Sequence, residues 1–529
     1  MHDFEFLEAR RAGLQARCDG IKSQRQRNEA GQFATPQFLA IQMAEFVREL
    51  WRDRGDRVRF LDPALGTGSL YSAFRRVISE ERIECSAGVE IDDTLAAAAK
   101  AVWAETQLTV IRDDFTRLHA PAEGARYNLI LTNPPYVRHH HLEQSEKFRL
   151  RRLSLGILGQ EINGLAGLYC YFMLLAHDWL APGGVAVWLV PSEFMTVNYG
   201  QAVRHYLTTK ATLLRIHRYD PEELQFDDAL VSSAVVVLKK AVPGPGHRPT
   251  LSYGGSLLSP RHVEMVPLPV LTDTRKWTAF PNADPQARRV ERVGDRITLS
   301  DLFAVKRGIA TGANRFFVLP REEAVCRGFS ETFLKPILPS PRHLREAIIE
   351  GDRDGYPLID RPLTLIDTGL PDDEIRRACR PLWEYLREGE RQGLRGTYLL
   401  AKRRPWYKQE QRAPAPFLCT YMGRGGTRKH PFRFFWNKSR AVAPNVYLLL
   451  YPIGPLAGTL RTQPEHWPTV FELLQGIETA SLIKEGRVYG GGLYKLEPKE
   501  LARISARDFV AALGLKIELA PKQESLALS

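Results

Sequence analysis

Short apolar runs of strand length alternate with longer stretches of helical period from about residue 35 to residue 240, which predicts a doubly wound, mostly parallel sheet. Val58-Arg59-Phe60-Leu61 predicts the first strand and Ser69 to Ile78 the helix after it. Ser86-Ala87-Gly88-Val89, Leu108-Thr109-Val110-Ile111 and Leu129-Ile130-Leu131 predict three more strands. Leu168 to Leu180 reads as a helix, Pro182-Gly183-Gly184 as a turn, Val185 to Val190 as the next strand, and Val231 to Val237 as another apolar run. Ahead of all these, Ile41 to Leu50 has amphipathic helical spacing. Beyond Pro243-Gly244-Pro245-Gly246-His247-Arg248-Pro249 the pattern breaks, and irregular Pro-rich sequence continues to about Asp295. The expected organisation is an N-terminal extension (1–29), an α/β domain (30–245), an irregular linker (246–295) and a mixed α+β domain (296–529).

A chain of 529 residues with 44% hydrophobic content is long enough for two cores. Its longest apolar stretches, Gly184 to Val190 and Val446 to Tyr451, fall far short of the roughly 20 residues a membrane helix needs. The charged start, with Asp3, Glu5, Glu8, Arg10 and Arg11, has no apolar core like that of a secretory signal, so a soluble cytoplasmic protein with no membrane partner is expected. Cys18, Cys85, Cys170, Cys326, Cys379 and Cys419 form no Cys-x-x-Cys pair, which argues against a zinc module or a disulfide framework. His139-His140-His141 invites a metal reading, but adjacent side chains diverge and no second ligand cluster has suitable spacing; no metal is expected, and a polar loop touching phosphate is the alternative. The net charge of +12 suits a polyanionic partner.

The predicted strand ends carry the candidate chemistry. Asp62-Pro63-Ala64-Leu65-Gly66-Thr67-Gly68 is a glycine loop between a strand and a helix, where backbone can approach a ligand closely. Tyr71 stands where a dinucleotide fingerprint would place a small residue, which weakens a nicotinamide reading. Glu90-Ile91-Asp92 puts an acid where the second strand meets a ribose, and Asp113-Asp114-Phe115 supplies a carboxylate for an adenine amino group and a ring to stack on it. Asn133-Pro134-Pro135-Tyr136 follows the fourth strand. The Asn133 carboxamide oxygen and the Pro134 carbonyl can accept hydrogen bonds from an amino group on a planar ring, Pro135 helps stiffen the turn, and Tyr136 offers a stacking face. Each acid alone could cap a helix, and the tetrapeptide alone could be an ordinary turn; the four strand ends in this order point to methylation of an amine.

With these motifs the chain, over roughly residues 30 to 240, resembles the class I S-adenosylmethionine-dependent methyltransferases, and among them the gamma-class DNA adenine-N6 methyltransferases of the TaqI type found in restriction-modification systems. The resemblance implies a Rossmann-like catalytic domain and a separate target-recognition domain. It implies that Thr35-Pro36 meets the methionine carboxylate of the cofactor, that Asp62, Pro63, Ala64, Gly66 and Gly68 form the methionine loop, and that Glu90 and Ile91 take the ribose end. Asp114 and Phe115 would contact the cofactor adenine, with Asn133 at the junction of cofactor and target. Leu65 and Leu70 depart from the commonest loop forms. Phe226 is similar to the family's aromatic that packs on a flipped base; the alternative is a core aromatic beside a hairpin.

In the second half, Lys402, Arg403, Arg404, Lys408, Arg412, Arg424, Arg428, Lys429, Arg433, Lys438 and Arg440 stand against the single acid Glu410. Trp406, Tyr407, Phe417, Tyr421, Phe432, Phe434, Phe435 and Trp436 are interleaved among them. One reading is a groove that grips phosphates and reads bases, with Arg404, Trp406, Tyr407, Lys408, Arg424, Arg428 and Lys429 as its candidates; the other is a solvated basic face over an aromatic core. Val305 to Asn314 also resembles the start of a target-recognition domain. Double-stranded DNA is the implied substrate, met by a monomer, and any restriction endonuclease would be a separate protein because no paired-acid-plus-lysine nuclease motif is present. Methylation of a protein glutamine or an RNA base, cytosine-N4 methylation, and a non-catalytic nucleic-acid binding subunit are the competing expectations.

Overall fold

The computed structural model describes residues 2–220, 232–274, 276–281, 297–425, 430–489 and 492–517. The chain divides into two compact units, Met1–Arg288 with Tyr489–Gly492, and Arg289–Val488 with Leu493–Ser529.

The first unit is built on a nine-stranded sheet whose strands are β1 (Val58–Asp62), β2 (Ile83–Glu90), β3 (Leu108–Arg112), β4 (Tyr127–Thr132), β5 (Leu180–Pro191), β6 (Thr212–Arg218), β7 (Ser233–Lys239), β8 (Thr250–Gly255) and β9 (Pro260–Met265). Their order is β3-β2-β1-β4-β5-β7-β6-β8-β9. The strands from β3 to β5 are parallel, and β7 inserts antiparallel between β5 and β6. This is the expected class I methyltransferase sheet. Its central strands are buried on both faces, which is why they read as continuous apolar runs rather than alternating ones.

The helices around these strands include α1 (His2–Ile21), α2 (Gln24–Ala30), α3 (Gln37–Trp51), α4 (Ser69–Val77), α5 (Asp93–Trp103), α6 (Gln144–Leu158), α7 (Leu168–Trp179) and α8 (Gln201–Thr209). Helix α3 buries Leu39, Ala40, Met43, Ala44, Val47 and Trp51, the stripe its amphipathic spacing predicts. The turn expected at Pro182-Gly183-Gly184 lies inside β5, with Gly183 at φ +72° and a break in the pairing with β4.

Two boundaries differ from expectation. Residues 250–265 are not an irregular linker: β8 adds parallel to β6 and β9 pairs antiparallel with β8. Leu251, Leu257, Val266, Leu271 and Trp277 are buried in the same core as the rest of the sheet. Prolines on either side disguise the hairpin because they break up the sequence without interrupting its ladder. Residues 2–30 are likewise no loose extension, since α1 and α2 belong to the first unit and α1 packs on α5 and α4.

The second unit is mixed α+β. Its largest sheet runs Phe303–Arg307, Tyr447–Pro452, Phe417–Thr420, Phe434–Asn437, Ile348–Ile349, and a smaller one runs Val318–Pro320, Leu363–Ile366, Leu334–Ile337. Separate hydrophobic clusters stabilise it, one centred on Phe417, Leu448 and Phe471 and another on Phe316, Phe317 and Trp406.

Candidate active site

The strand ends of β1 to β4 converge on a cavity of about 400 Å³ within the first unit, in the size range of cofactor pockets. Pro63, Ala64, Gly66, Glu90, Ile91, Asp114, Phe115, Asn133 and Pro135 line it. Thr35, Asp62, Pro134 and Tyr136 are buried alongside, while Pro36 and Gly68 cap the starts of α3 and α4. Phe226 lies outside the described residues.

Asp62 is almost wholly buried and acts as a scaffold. One of its carboxylate oxygens accepts from the Thr132 hydroxyl at 2.6 Å and from the Ala64 N–H at 3.0 Å, joining the ends of β1 and β4. Burial pushes its carboxyl up from 3.8 to about 7, against the pull of those two donors. An acid shifted this way contributes stability that is full below about pH 4 and is lost as the pH rises through about 7. Asp62→Asn keeps an oxygen for both donors and has no charge to bury. Its melting temperature relative to wild type should therefore rise between pH 5 and pH 8, and a constant difference would contradict the assignment.

The glycine loop then turns through Gly66 at φ +57° and Gly68 at φ +88°. Gly68 is tight: an added Cβ would lie 2.4 Å from the Trp103 indole nitrogen, which itself donates to the Thr67 carbonyl. Gly66 is the reverse, with nothing within 4 Å of an added Cβ, so its backbone faces open cavity. The Gly66 N–H donates to Glu90 at 2.8 Å, and the other Glu90 oxygen accepts from the Asp92 N–H, which fixes that acid at the end of β2. Burial raises the Glu90 carboxyl and these two N–H groups partly offset it. Ile91 stands exposed on the cavity wall. Asp114 accepts from the Thr116 N–H and hydroxyl and pairs with Arg117 and Arg149. The Phe115 ring packs in the core, with centroids 5.3 Å from Phe172 and 5.1 Å from Trp179.

At the end of β4 the Asn133 side-chain NH2 donates to the Phe33 carbonyl at 3.0 Å and to the Thr35 hydroxyl at 3.1 Å. A carbonyl can only accept, so these contacts settle which end of the amide is which. The other end, Oδ1, is shielded from solvent and has no partner. A buried acceptor left unpaired costs about 1–3 kcal/mol, and Asn133 is among the residues that line the cavity. Among the described residues no hydrogen bond reaches the Pro134 carbonyl either. Tyr136 is locked in place: its hydroxyl donates to the Leu189 carbonyl at 3.1 Å, its N–H donates to Gly31, and its ring packs beside Phe33 and Tyr169. Burial drives its phenol pKa well upward, so Tyr136 supplies a ring and no proton chemistry.

The motifs did not indicate Phe33, Thr132, Gln32 or Lys22. Phe33 acts through its carbonyl, which leaves no mark in sequence, and Thr132 is concealed as one more residue of an apolar strand. Gln32 and Lys22 both hold Asp92. His139–His141 forms a short helical turn on the surface, and among the described residues no group of His, Cys, Asp and Glu is arranged to hold a metal ion.

In the second unit the basic segment sorts into two kinds of residue. Arg403 donates to the carbonyls of Thr311 and Ala310, and Arg433 to those of Pro341 and Leu344, so both are structural. Arg404, Lys408 and Arg424 are exposed, although Arg404 also donates to the neighbouring Ala401 and Arg403 carbonyls, while Arg428 and Lys429 lie outside the described residues. Trp406 and Tyr407, named among the candidates for the groove, are buried side chains. Trp406 is 6% exposed and packs on Phe316 and Phe317; Tyr407 is 3% exposed and its hydroxyl donates to the Leu370 carbonyl. The interleaved aromatics are core except Trp436, which is partly buried against it, and exposed basic residues lie between them.

Comparison with known proteins agrees with this geometry. The family model "Eco57I restriction-modification methylase" matches residues 68–225, and "Type II methyltransferase M.Eco57I, C-terminal domain" matches residues 274–519. The type II methyltransferase M.XamI of Xanthomonas campestris pv. amaranthicola is 27% identical over 462 residues, covering 85% of this chain and 81% of that protein. M.AccI of Acinetobacter calcoaceticus is 26% identical over 495 residues, covering 90% of this chain and 85% of that one. Among solved structures, the type IIL restriction-modification enzyme MmeI in complex with DNA shares the fold, with a TM-score of 0.53 at 12% identity over 88% of this chain and 64% of its own.

Proposed function

Because the chain belongs to the Eco57I-type, gamma-class restriction-modification methyltransferases, we propose that its site methylates the exocyclic N6 of adenine in duplex DNA. The observation that carries this reading is the unpartnered Asn133 Oδ1, an acceptor fixed in a cavity wall beside the free Pro134 carbonyl. Two acceptors fit the two hydrogens of an amino group and leave the nitrogen lone pair free to attack.

The cavity suits S-adenosylmethionine. Gly66 presents bare backbone to it, Glu90 and Asp114 place carboxylates at the ends of β2 and β3, and Ile91 offers an apolar wall. When bound, the cofactor supplies a methyl group on a sulfonium. The residues do the rest. A stacked base cannot present its amino nitrogen, so the adenine turns out of the helix before reaction. Asn133 and the Pro134 carbonyl hold the amino hydrogens and take up the positive charge that grows on the nitrogen as it attacks, without reorganising. The NH2 of Asn133, held by Phe33 and Thr35, keeps its oxygen aimed. No strong base is required, because the methylated nitrogen loses its proton to water after transfer. Phe226 is proposed as a second ring on the extruded base.

The enzyme acts as a monomer in the cytoplasm, as the protective methylase paired with an endonuclease on another chain. Arg404, Lys408 and Arg424 are proposed to contact phosphates, with Arg428 and Lys429 completing the patch. Each neutralised phosphate contributes about 0.9 to the slope of log affinity against log salt. Arg404→Ala with Lys408→Ala should therefore flatten that slope by about 2 and weaken binding to any duplex sequence alike. An unchanged slope would remove both residues from the interface.

Purified protein incubated with S-adenosylmethionine and plasmid DNA tests the reading as a whole. Nucleoside mass spectrometry should show N6-methyladenine, and plasmid DNA left without it would refute the reading.

A further inference from the structure

The first helix presents a polar seam to the glycine loop. Glu8, Arg11, Gln15 and Cys18 recur at alternating spacings of three and four, so they share one face of α1, and Lys22 follows just past the helix end. Arg11, only 5% exposed, forms a bidentate pair with Glu8 and donates to the Thr67 hydroxyl at 3.1 Å. That hydroxyl donates in turn to Gln15 at 2.7 Å, and Ser72 in the first turn of α4 donates to Glu8. Thr67 sits between Gly66 and Gly68. At the far end of the seam Lys22 donates to Gln32 at 2.9 Å and pairs with Asp92, and Gln32 also donates to Asp92 at 3.2 Å. Asp92 is the residue whose N–H holds Glu90 and whose other carboxylate oxygen caps α5. Gln15, Cys18, Asp19, Ile21 and Lys22 themselves face the cavity.

We propose that α1 is a built-in wall of the cofactor site, with Arg11 and Lys22 as positioning residues that hold the glycine loop and the ribose-side acid in their binding geometry. This rests on the reading of the cavity as the S-adenosylmethionine site. None of these α1 residues falls within the matched methylase family model, which begins at residue 68. The physical argument is linkage. Docking of α1 runs through Thr67 and Asp92, so a cofactor that needs both in place binds the docked state more tightly and stabilises it.

The test uses the full chain, S-adenosylmethionine titrated calorimetrically, and hydrogen exchange. Losing a hydrogen bond from a charged group at this junction should raise the cofactor Kd about ten-fold in Arg11→Met and in Lys22→Met. The same change should appear in KM for the cofactor, with duplex affinity unaltered. Arg48→Ala, which removes an exposed charge on α3, serves as the control and should leave the cofactor Kd as in wild type. Exchange across α1 in the wild type should slow when cofactor is added. Wild-type cofactor affinity in Lys22→Met, whose side chain is partly exposed, would overturn the proposal even if Arg11→Met fails to fold. Absence of cofactor binding by the wild type would instead overturn the reading of the cavity.

Discussion

Asn133→Ala is expected to lower the methylation rate by about 100- to 1,000-fold, the range seen when a preorganised partner for developing transition-state charge is removed. The alanine deletes the acceptor and leaves the Phe33 carbonyl and Thr35 hydroxyl without their donor. Cofactor and duplex affinity should change little, since the glycine loop, Glu90 and the second unit are untouched. Asn133→Asp retains oxygens but loses the NH2 that aims them, and sets a carboxylate against the Phe33 carbonyl; it should also be impaired. Single-turnover rates with saturating cofactor and DNA check both variants. A rate within three-fold of wild type for Asn133→Ala would remove Asn133 from the chemistry.

Trp406→Ala should be strongly destabilising, costing about 3–5 kcal/mol as expected for truncation of a buried tryptophan. Its ring packs against Phe316, Phe317 and Tyr407, and Gly389 approaches so closely that an added Cβ would lie 2.9 Å from the Trp406 ring. Denaturant unfolding should show the loss, while the protein that remains folded binds duplex DNA as wild type does. A stable variant with DNA affinity lost would reverse the assignment and return Trp406 to the interface.

That correction shows what a sequence pattern can and cannot carry. Aromatic residues among cations look alike whether the rings face solvent or the interior, because strands alternate their faces and loops follow no period. Phe417, Phe434 and Phe435 are in strands that bury them, and the cations emerge between them. The catalytic fold was more legible. Parallel strands buried on both faces must be continuously apolar, and in a doubly wound sheet the residues after each strand face the ligand side, so Asp62, Glu90, Asp114 and Asn133 could be placed in order before any coordinates.

The contribution of α1 was hidden for the opposite reason. Its docking side carries Leu7 and Leu14 as apolar contacts, and the rest is polar, built from Glu8, Arg11 and Gln15 with Lys22 just beyond the helix end, so no clear apolar stripe marks it. The only signal was the alternating three-and-four spacing of those residues. The hairpin at 250–265 is disguised because prolines resemble the end of a fold, yet Pro249 precedes β8 and Pro260 is the first residue of the edge strand β9, positions where proline is no obstacle. The support that Phe33 gives to Asn133 comes from main chain, and no side chain could have announced it.

The central claim is that the two acceptors at the end of β4 select an adenine amino group. Nucleosides from duplex DNA treated with the purified protein and isotope-labelled S-adenosylmethionine decide it: label in N6-methyladenine is the predicted result, and label in N4-methylcytosine, or none in DNA while the protein binds cofactor, would contradict it.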